Sequence, residues 1–245
     1  MVSRSRSSAR EPASLLNHLP LTVIITIDGP AGAGKSTVAR ALARRLGFRF
    51  LDTGAMYRAV ALAGKRRGLD WDVPEDLADL ARKVDLQVMG EKIFLDGEDV
   101  TEAVRTSEVT AVTRYAADNP AVRAHLVRLQ RALAGNDNVV TEGRDQGTVA
   151  FPDAECKIFL TASAEERARR RLRDLKSQGE PVTLAQVLAA QERRDREDAS
   201  RAVGPLTPAR DAIDVPTDGL TVDQVVDKLE LMVRERFSCA RNGLP

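Results

Sequence analysis

Short apolar runs alternate with longer amphipathic stretches along most of the chain. Runs at residues 21–27, 48–51, 139–141, 157–160 and 212–215 are strand-length, and Val23, Ile24 and Ile25 give the first of them a β-branched centre. Between the runs lie helix-length segments. Residues 36–46 read as a helix ending at Gly47, and residues 120–134 read as another, opening at Pro120 with Val122, Leu126, Leu129 and Leu133 spaced three and four apart. The alternation predicts an α/β fold in which five short, buried, parallel strands are covered by helices on both faces, a three-layer sandwich. Ligands of such sheets bind beyond the carboxyl ends of the strands.

A longer excursion separates the second run from the third. Residues 72–83 look helical, and residues 86–89 and 92–95 flank Gly90-Glu91 as a hairpin, with Asp96-Gly97 offering another turn. This predicts a small α+β insert over about residues 63–104. Residues 165–201 are the most charged stretch, with Arg167, Arg169, Arg170, Arg171, Arg173, Arg193, Arg194, Arg196 and Arg201 around Gly179 and Pro181. Two helices joined by a turn fit that stretch. It reads either as a solvated, salt-bridged face or as an arginine-rich lid, over about residues 164–202, that covers a phosphoryl group. The core is then expected at about residues 21–62, 105–163 and 203–240.

The first 19 or 20 residues intersperse Ser3, Ser5, Ser7 and Ser8 with Arg4, Arg6 and Arg10 and have no apolar face, which predicts a disordered extension. An organelle transit peptide is the alternative reading. Across 245 residues, 37 basic and 36 acidic side chains nearly cancel, so nothing suggests long-range attraction to nucleic acid. No run approaches about 18 consecutive apolar residues, so no membrane span is expected. Two cysteines, Cys156 and Cys239, read as reduced thiols of a cytoplasmic protein.

The chemistry begins where the first run ends. Residues 29–36, Gly29-Pro30-Ala31-Gly32-Ala33-Gly34-Lys35-Ser36, form a complete G-x-x-x-x-G-K-[ST] phosphate loop between a strand and a helix. Its glycines let backbone N–H groups converge on a polyphosphate, and the following helix adds the positive end of its dipole. The loop through Thr37 is the candidate ATP site, with Lys35 on the β- and γ-phosphates and the Ser36 hydroxyl on Mg²⁺. No N-K-x-D base reader of the GTPase type follows, and the third run ends in Glu142-Gly143-Arg144-Asp145 rather than the Asp-Glu of a motor ATPase. A small-molecule kinase is the remaining choice.

Residues 51–58, Leu-Asp-Thr-Gly-Ala-Met-Tyr-Arg, and residues 143–154, Gly-Arg-Asp-Gln-Gly-Thr-Val-Ala-Phe-Pro-Asp-Ala, resemble motifs of the bacterial cytidylate kinases, a branch of the nucleoside monophosphate kinases. The likeness runs from about residue 21 to residue 237. It implies a P-loop fold with an enlarged monophosphate-binding insert and a helical lid. It also implies the reaction of ATP with CMP or dCMP to give ADP and CDP or dCDP, in an enzyme that is usually a monomer. By the same resemblance, Arg58 and Arg144 clamp the acceptor phosphate, with Thr53 and Tyr57 beside them; Tyr57 reads equally as a core aromatic. Asp145 and Arg123 would read the cytosine, with an ordinary surface ion pair as the alternative. Arg194, Asp198 and Arg201 reproduce an R-x-x-x-D-x-x-R spacing that puts all three on one helix face. The resemblance gives Arg194 and Asp198 to the ribose, Arg194 and Arg201 to the phosphates, and Arg170 to the migrating phosphoryl. One departure concerns position 114, where the family commonly has a serine near the base and this chain has Arg114, a substrate-site candidate that either makes the base contact differently or marks an altered pocket.

A phosphate monoester is mostly dianionic near neutral pH, with a second pKa of about 6, so its oxygen can attack without a protein base. The histidines agree, because His18 falls in the expected extension and His125 on a helix where a structural role is expected. Catalysis is then positioning and charge neutralisation by Lys35, Mg²⁺ and the arginines. The competing expectations are a kinase for another nucleoside monophosphate such as UMP, and a P-loop regulatory protein without turnover.

Overall fold

A computed structural model describes residues 22–177 and 179–242. From the amino end, β1 (Ile24–Asp28) leads through the phosphate loop into α1 (Lys35–Leu46), and β2 (Arg49–Asp52) runs directly into α2 (Thr53–Arg66). The excursion consists of α3 (Pro74–Lys83) and the strands β3 (Leu86–Met89), β4 (Lys92–Leu95) and β5 (Glu98–Asp99). Next, α4 (Ser107–Asp118) and α5 (Pro120–Ala134) return the chain to β6 (Val139–Gly143). Finally β7 (Cys156–Thr161), α6 (Ala164–Ser177), α7 (Leu184–Ala199), β8 (Ile213–Pro216) and α8 (Val222–Asn242) complete the order.

The five core strands are all parallel, in the order β2-β6-β1-β7-β8. Register divides the apolar side chains between two faces. Ile24 and Val139 are paired and belong with Leu51 to a cluster shared with α2, α4 and α5, whereas Ile25, Val140 and Phe50 face α1 and α8. Burial on both faces is what a parallel sheet requires. Leu126 in one cluster and Leu229 in the other are fully enclosed, and truncating either to alanine removes about 2–5 kcal/mol of stability.

The hairpin of the excursion occupies the expected residues, paired from Leu86↔Leu95 to Met89↔Lys92. Its buried Val88 and Ile93 join the same apolar cluster as α2 and α5, so the excursion shares its packing with the neighbouring helices. The turn at Gly90-Glu91 reaches α1, where Glu91 forms an ion pair with Arg40 at 3.0 Å and accepts from Arg44 at 2.8 Å.

One helix, α4, does not announce itself in the sequence. Val109, Thr110, Val112 and Thr113 favour strand by propensity. The helix forms because Thr106 caps it through the Val109 N–H at 3.4 Å, and the hydroxyls of Thr110 and Thr113 bond back to Thr106 O and Val109 O at 2.9 and 2.7 Å. Its buried Val109, Ala116 and Ala117 lie in the cluster that α2 shares. The expected amino-terminal extension and Cys239 lie outside the described residues and side chains.

Candidate active site

Most of the candidate chemistry collects beyond the carboxyl ends of β1, β2 and β6. The phosphate loop turns sharply because Gly29 has φ +145° and lies so close to the carbonyl of Leu160 that a Cβ would collide with it. Lys35 is 5 % exposed and donates from Nζ to Pro30 O at 2.8 Å. Burial, reinforced by the charge of Arg144, pulls its pKa down to about 7 against the opposing pull of Glu142 and Asp28. Ser36 donates to Glu142 Oε1 at 2.9 Å, and Glu142 is itself buried at the end of β6.

The opposite side is built from β2, α2, α5 and the residues after β6. Asp52 caps α2 through the Ala55 N–H at 2.8 Å and lies 3.4 Å from Arg58 Nη2. Thr53 donates to Glu142 O at 2.6 Å and is buried. Arg123 and Asp145 form an enclosed ion pair, and the other Arg123 terminus donates to Ala117 O at 3.0 Å. The Arg123 guanidinium also lies 5.5 Å from the centre of the Tyr57 ring. Tyr57 is 8 % exposed, and burial pushes its hydroxyl up to about 12. It is therefore both a core aromatic and a wall beside the ion pair. The Nε atoms of Arg58 and Arg123 are buried with no protein partner, so both guanidiniums retain donor capacity.

The helical pair α6 and α7 closes over these groups. Asp198 accepts from Arg144 Nε at 2.7 Å and pairs with Arg201 Nη2 at 2.5 Å, while Arg201 Nε reaches Asp118 at 2.7 Å. The spacing predicts one helix face for Arg194, Asp198 and Arg201, but α7 ends at Ala199, so Arg201 meets Asp198 from just beyond the helix end. Burial alone would raise the Asp198 carboxyl, but Arg144, Arg201 and Arg194 hold it below the usual range. Burial and the charge of Arg144 lower the pKa of Arg194, with Arg201 and Arg58 adding to the same field. Five cationic groups, Lys35, Arg58, Arg144, Arg194 and Arg201, thus belong to one electrostatic network.

The profile of the cytidylate kinase family matches residues 25–235. A cytidylate kinase of Rhodopirellula baltica is 52 % identical over 213 residues, covering 87 % of this chain and 93 % of that one. One from Geobacter sulfurreducens is 46 % identical over 218 residues, covering 87 % and 94 % respectively. A bifunctional pantoate ligase/cytidylate kinase of Synechococcus elongatus is 48 % identical over 236 residues, which span 91 % of this chain and 45 % of that protein. This chain belongs to the cytidylate kinase family.

Three residues of this family member were absent from the candidate set. Glu142 shares its carboxylate with Ser36, and an acid ending a buried strand opposite the phosphate loop was its only sequence signal. Arg167 donates to Ala31 O of the phosphate loop at 3.0 Å and pairs with Asp195 at 2.7 Å, tying α6 and α7 to the loop. Asp28 sits buried at the root of the loop. Two candidates stand apart from the main group. Arg170 is engaged beside the phosphate loop, donating to Thr217 O at 2.8 Å, Thr217 Oγ1 at 3.1 Å and Ala33 O at 3.4 Å. Arg114 is exposed on α4, 4.8 Å above the Tyr115 ring, which in turn stacks on Trp71 at 4.9 Å. His125 is half-buried on α5, and its pKa is lowered by burial and by Arg128 and Arg82.

Proposed function

We propose that this protein transfers the γ-phosphoryl group of ATP to CMP and dCMP. The observation that carries the reading is the buried Arg123–Asp145 pair beside a phosphate loop and a cluster of arginines, in a chain that belongs to the cytidylate kinase family. Cytosine presents an amino donor at N4 that a carboxylate accepts, and uracil lacks that donor. Arg123 serves the ring acceptors, and Tyr57 bounds the base.

The phosphate loop through Thr37 holds the ATP phosphates with backbone N–H groups, and Lys35 neutralises the β- and γ-oxygens. Arg58 and Arg144 orient the acceptor phosphate with their planar guanidinium forks. Arg194 on α7 and Arg201 just past its end close onto the transferring group, Asp198 bonds the ribose, and Arg170 and Arg167 steady the donor side. The acceptor oxygen attacks as a phosphate dianion, so these residues position and neutralise rather than accept a proton.

The paired oxygens of Ser36 and Glu142, 2.9 Å apart, suit Mg²⁺, which takes oxygen ligands and retains water beside a few protein groups. Held there, the ion would supply charge neutralisation for the triphosphate. The reading includes a monomeric, cytoplasmic enzyme; the buried free thiol of Cys156 suits a reducing compartment. Among the described residues no helix is long and apolar enough to cross a membrane.

Calorimetric titration tests the role of the base pair. Asp145→Ala is expected to weaken CMP binding by about 10- to 100-fold, the worth of one charge-assisted hydrogen bond, and to leave ATP within about threefold. Equal losses for the two ligands would contradict base reading by Asp145.

A further inference from the structure

The acid that ends β1 has no part in the chemistry above, yet it is built into the junction between the two nucleotide sites. Asp28 is 4 % exposed and directly precedes Gly29, the first residue of the phosphate loop. Its Oδ1 accepts the backbone N–H of Gln146 at 2.9 Å and its Oδ2 that of Gly147 at 2.8 Å. These N–H groups follow immediately on Arg144 and Asp145 and open the turn Gln146–Ala150. Two acceptors on one rigid carboxylate fix the turn in both place and rotation, which a single bond cannot do.

The same turn meets β1 a second way. A Cβ added to Gly147 would stand 2.9 Å from Thr26 Oγ1 and 3.3 Å from the stem of Lys157, so a residue without a side chain is needed to bring this N–H onto Asp28. On its other flank the turn is fixed to β6, where Gln146 Oε1 accepts from Thr141 Oγ1 at 2.9 Å. Asp28 also faces the charges of Lys35 and Asp145, one from each substrate site.

We propose that Asp28 is a positioning residue that joins the donor site to the acceptor site: rooted in the phosphate loop, its carboxylate holds the Arg144-Asp145 segment at a fixed distance from Lys35. The inference rests on the reading of Arg144 and Asp145 as acceptor contacts. In-line transfer between two bound phosphates is sensitive to such alignment, and a misplacement of about 1 Å costs on the order of 100-fold.

Asp28→Asn keeps the volume but turns an amide N–H₂ toward one of the two backbone donors, and Gly147→Ala strains the same junction from the opposite side. Steady-state kinetics with ATP and CMP, calorimetric binding of each nucleotide, and thermal midpoints are recorded for both variants and the wild type. Both variants are expected to lose roughly 10- to 100-fold in kcat/KM for CMP while binding ATP within about threefold of wild type. In an Asp145→Ala background, Asp28→Asn is expected to add much less to the loss of CMP binding, because the two act through one segment. Folded variants with kcat and CMP affinity within about twofold of wild type overturn the proposal, as does an equal loss of ATP and CMP affinity that follows a fallen thermal midpoint. Wild-type turnover of CMP in the same series separates the two claims. Active wild type with unaffected variants contradicts the role of Asp28 alone, whereas a wild type inactive toward CMP overturns both.

Discussion

Lys35 and Asp28 occupy one field and are displaced by burial toward their neutral forms. Lys35 lies near 7 because burial and Arg144 outweigh Glu142 and Asp28. Nucleotide phosphates raise it again, so ATP binding at about pH 7.5 takes up a fraction of a proton, read as a dependence of the calorimetric enthalpy on buffer ionisation. Lys35→Ala removes that dependence and lowers kcat by roughly 100-fold or more; near-normal turnover would contradict the phosphate-loop role. Asp28 is raised from 3.8 to about 6, chiefly by burial and despite the N–H groups of Gly147 and Gln146. The folded protein therefore holds this proton more tightly than the unfolded chain. The associated stability is complete below pH 3.8 and is lost as pH rises through about 6, a change on the order of 3 kcal/mol. Asp28→Asn removes this titration, so its unfolding free energy gains on wild type between about pH 4 and pH 7; an identical pH dependence of stability in the two proteins would count against the shift.

Elements were legible where local pattern and tertiary packing agree. The hairpin from Leu86 to Leu95 alternates buried and exposed positions around a glycine turn, and α5 starts at Pro120 and ends before Gly135. Helix α4 was hidden because β-branched residues occupy its middle, and caps and neighbours decide its conformation. The same limit applies to the site. The spacing of Arg194, Asp198 and Arg201 was visible because it is local, although α7 stops short of Arg201, whereas Asp28 meets Gln146 across 118 positions and Ser36 meets Glu142 across 106. Arg114 shows the converse, since its sequence position marks it near the base while its side chain stacks on Tyr115. At this scale Asn119 joins two elements: it caps α5 through Ala121 and Val122 N–H and donates to Pro74 O at 2.8 Å at the start of α3. Asn119→Ala is expected to lower stability by about 1–2 kcal/mol in a denaturant titration, and a change of under roughly 0.3 kcal/mol would show that the cap contributes little.

At the scale of the whole molecule, the sheet serves as a platform with two packed faces and one reactive end. Apolar clusters fix β1 between β6 and β7, and that placement brings the phosphate loop, the Glu142 carboxylate and the Arg144-Asp145 segment together. The helices α6 and α7 then span the gap, held by Arg167 to the phosphate loop and by Asp198 to Arg144. A net charge of +1 leaves little long-range field, so selectivity for an acceptor rests on contacts inside this cleft. The most direct measurement is ADP formation from Mg-ATP in parallel reactions containing CMP, dCMP, UMP, AMP or no acceptor. Strong turnover with CMP and dCMP, much weaker turnover with UMP and AMP, and almost none without an acceptor are expected; preference for another acceptor, or acceptor-independent hydrolysis, would contradict cytidylate kinase activity.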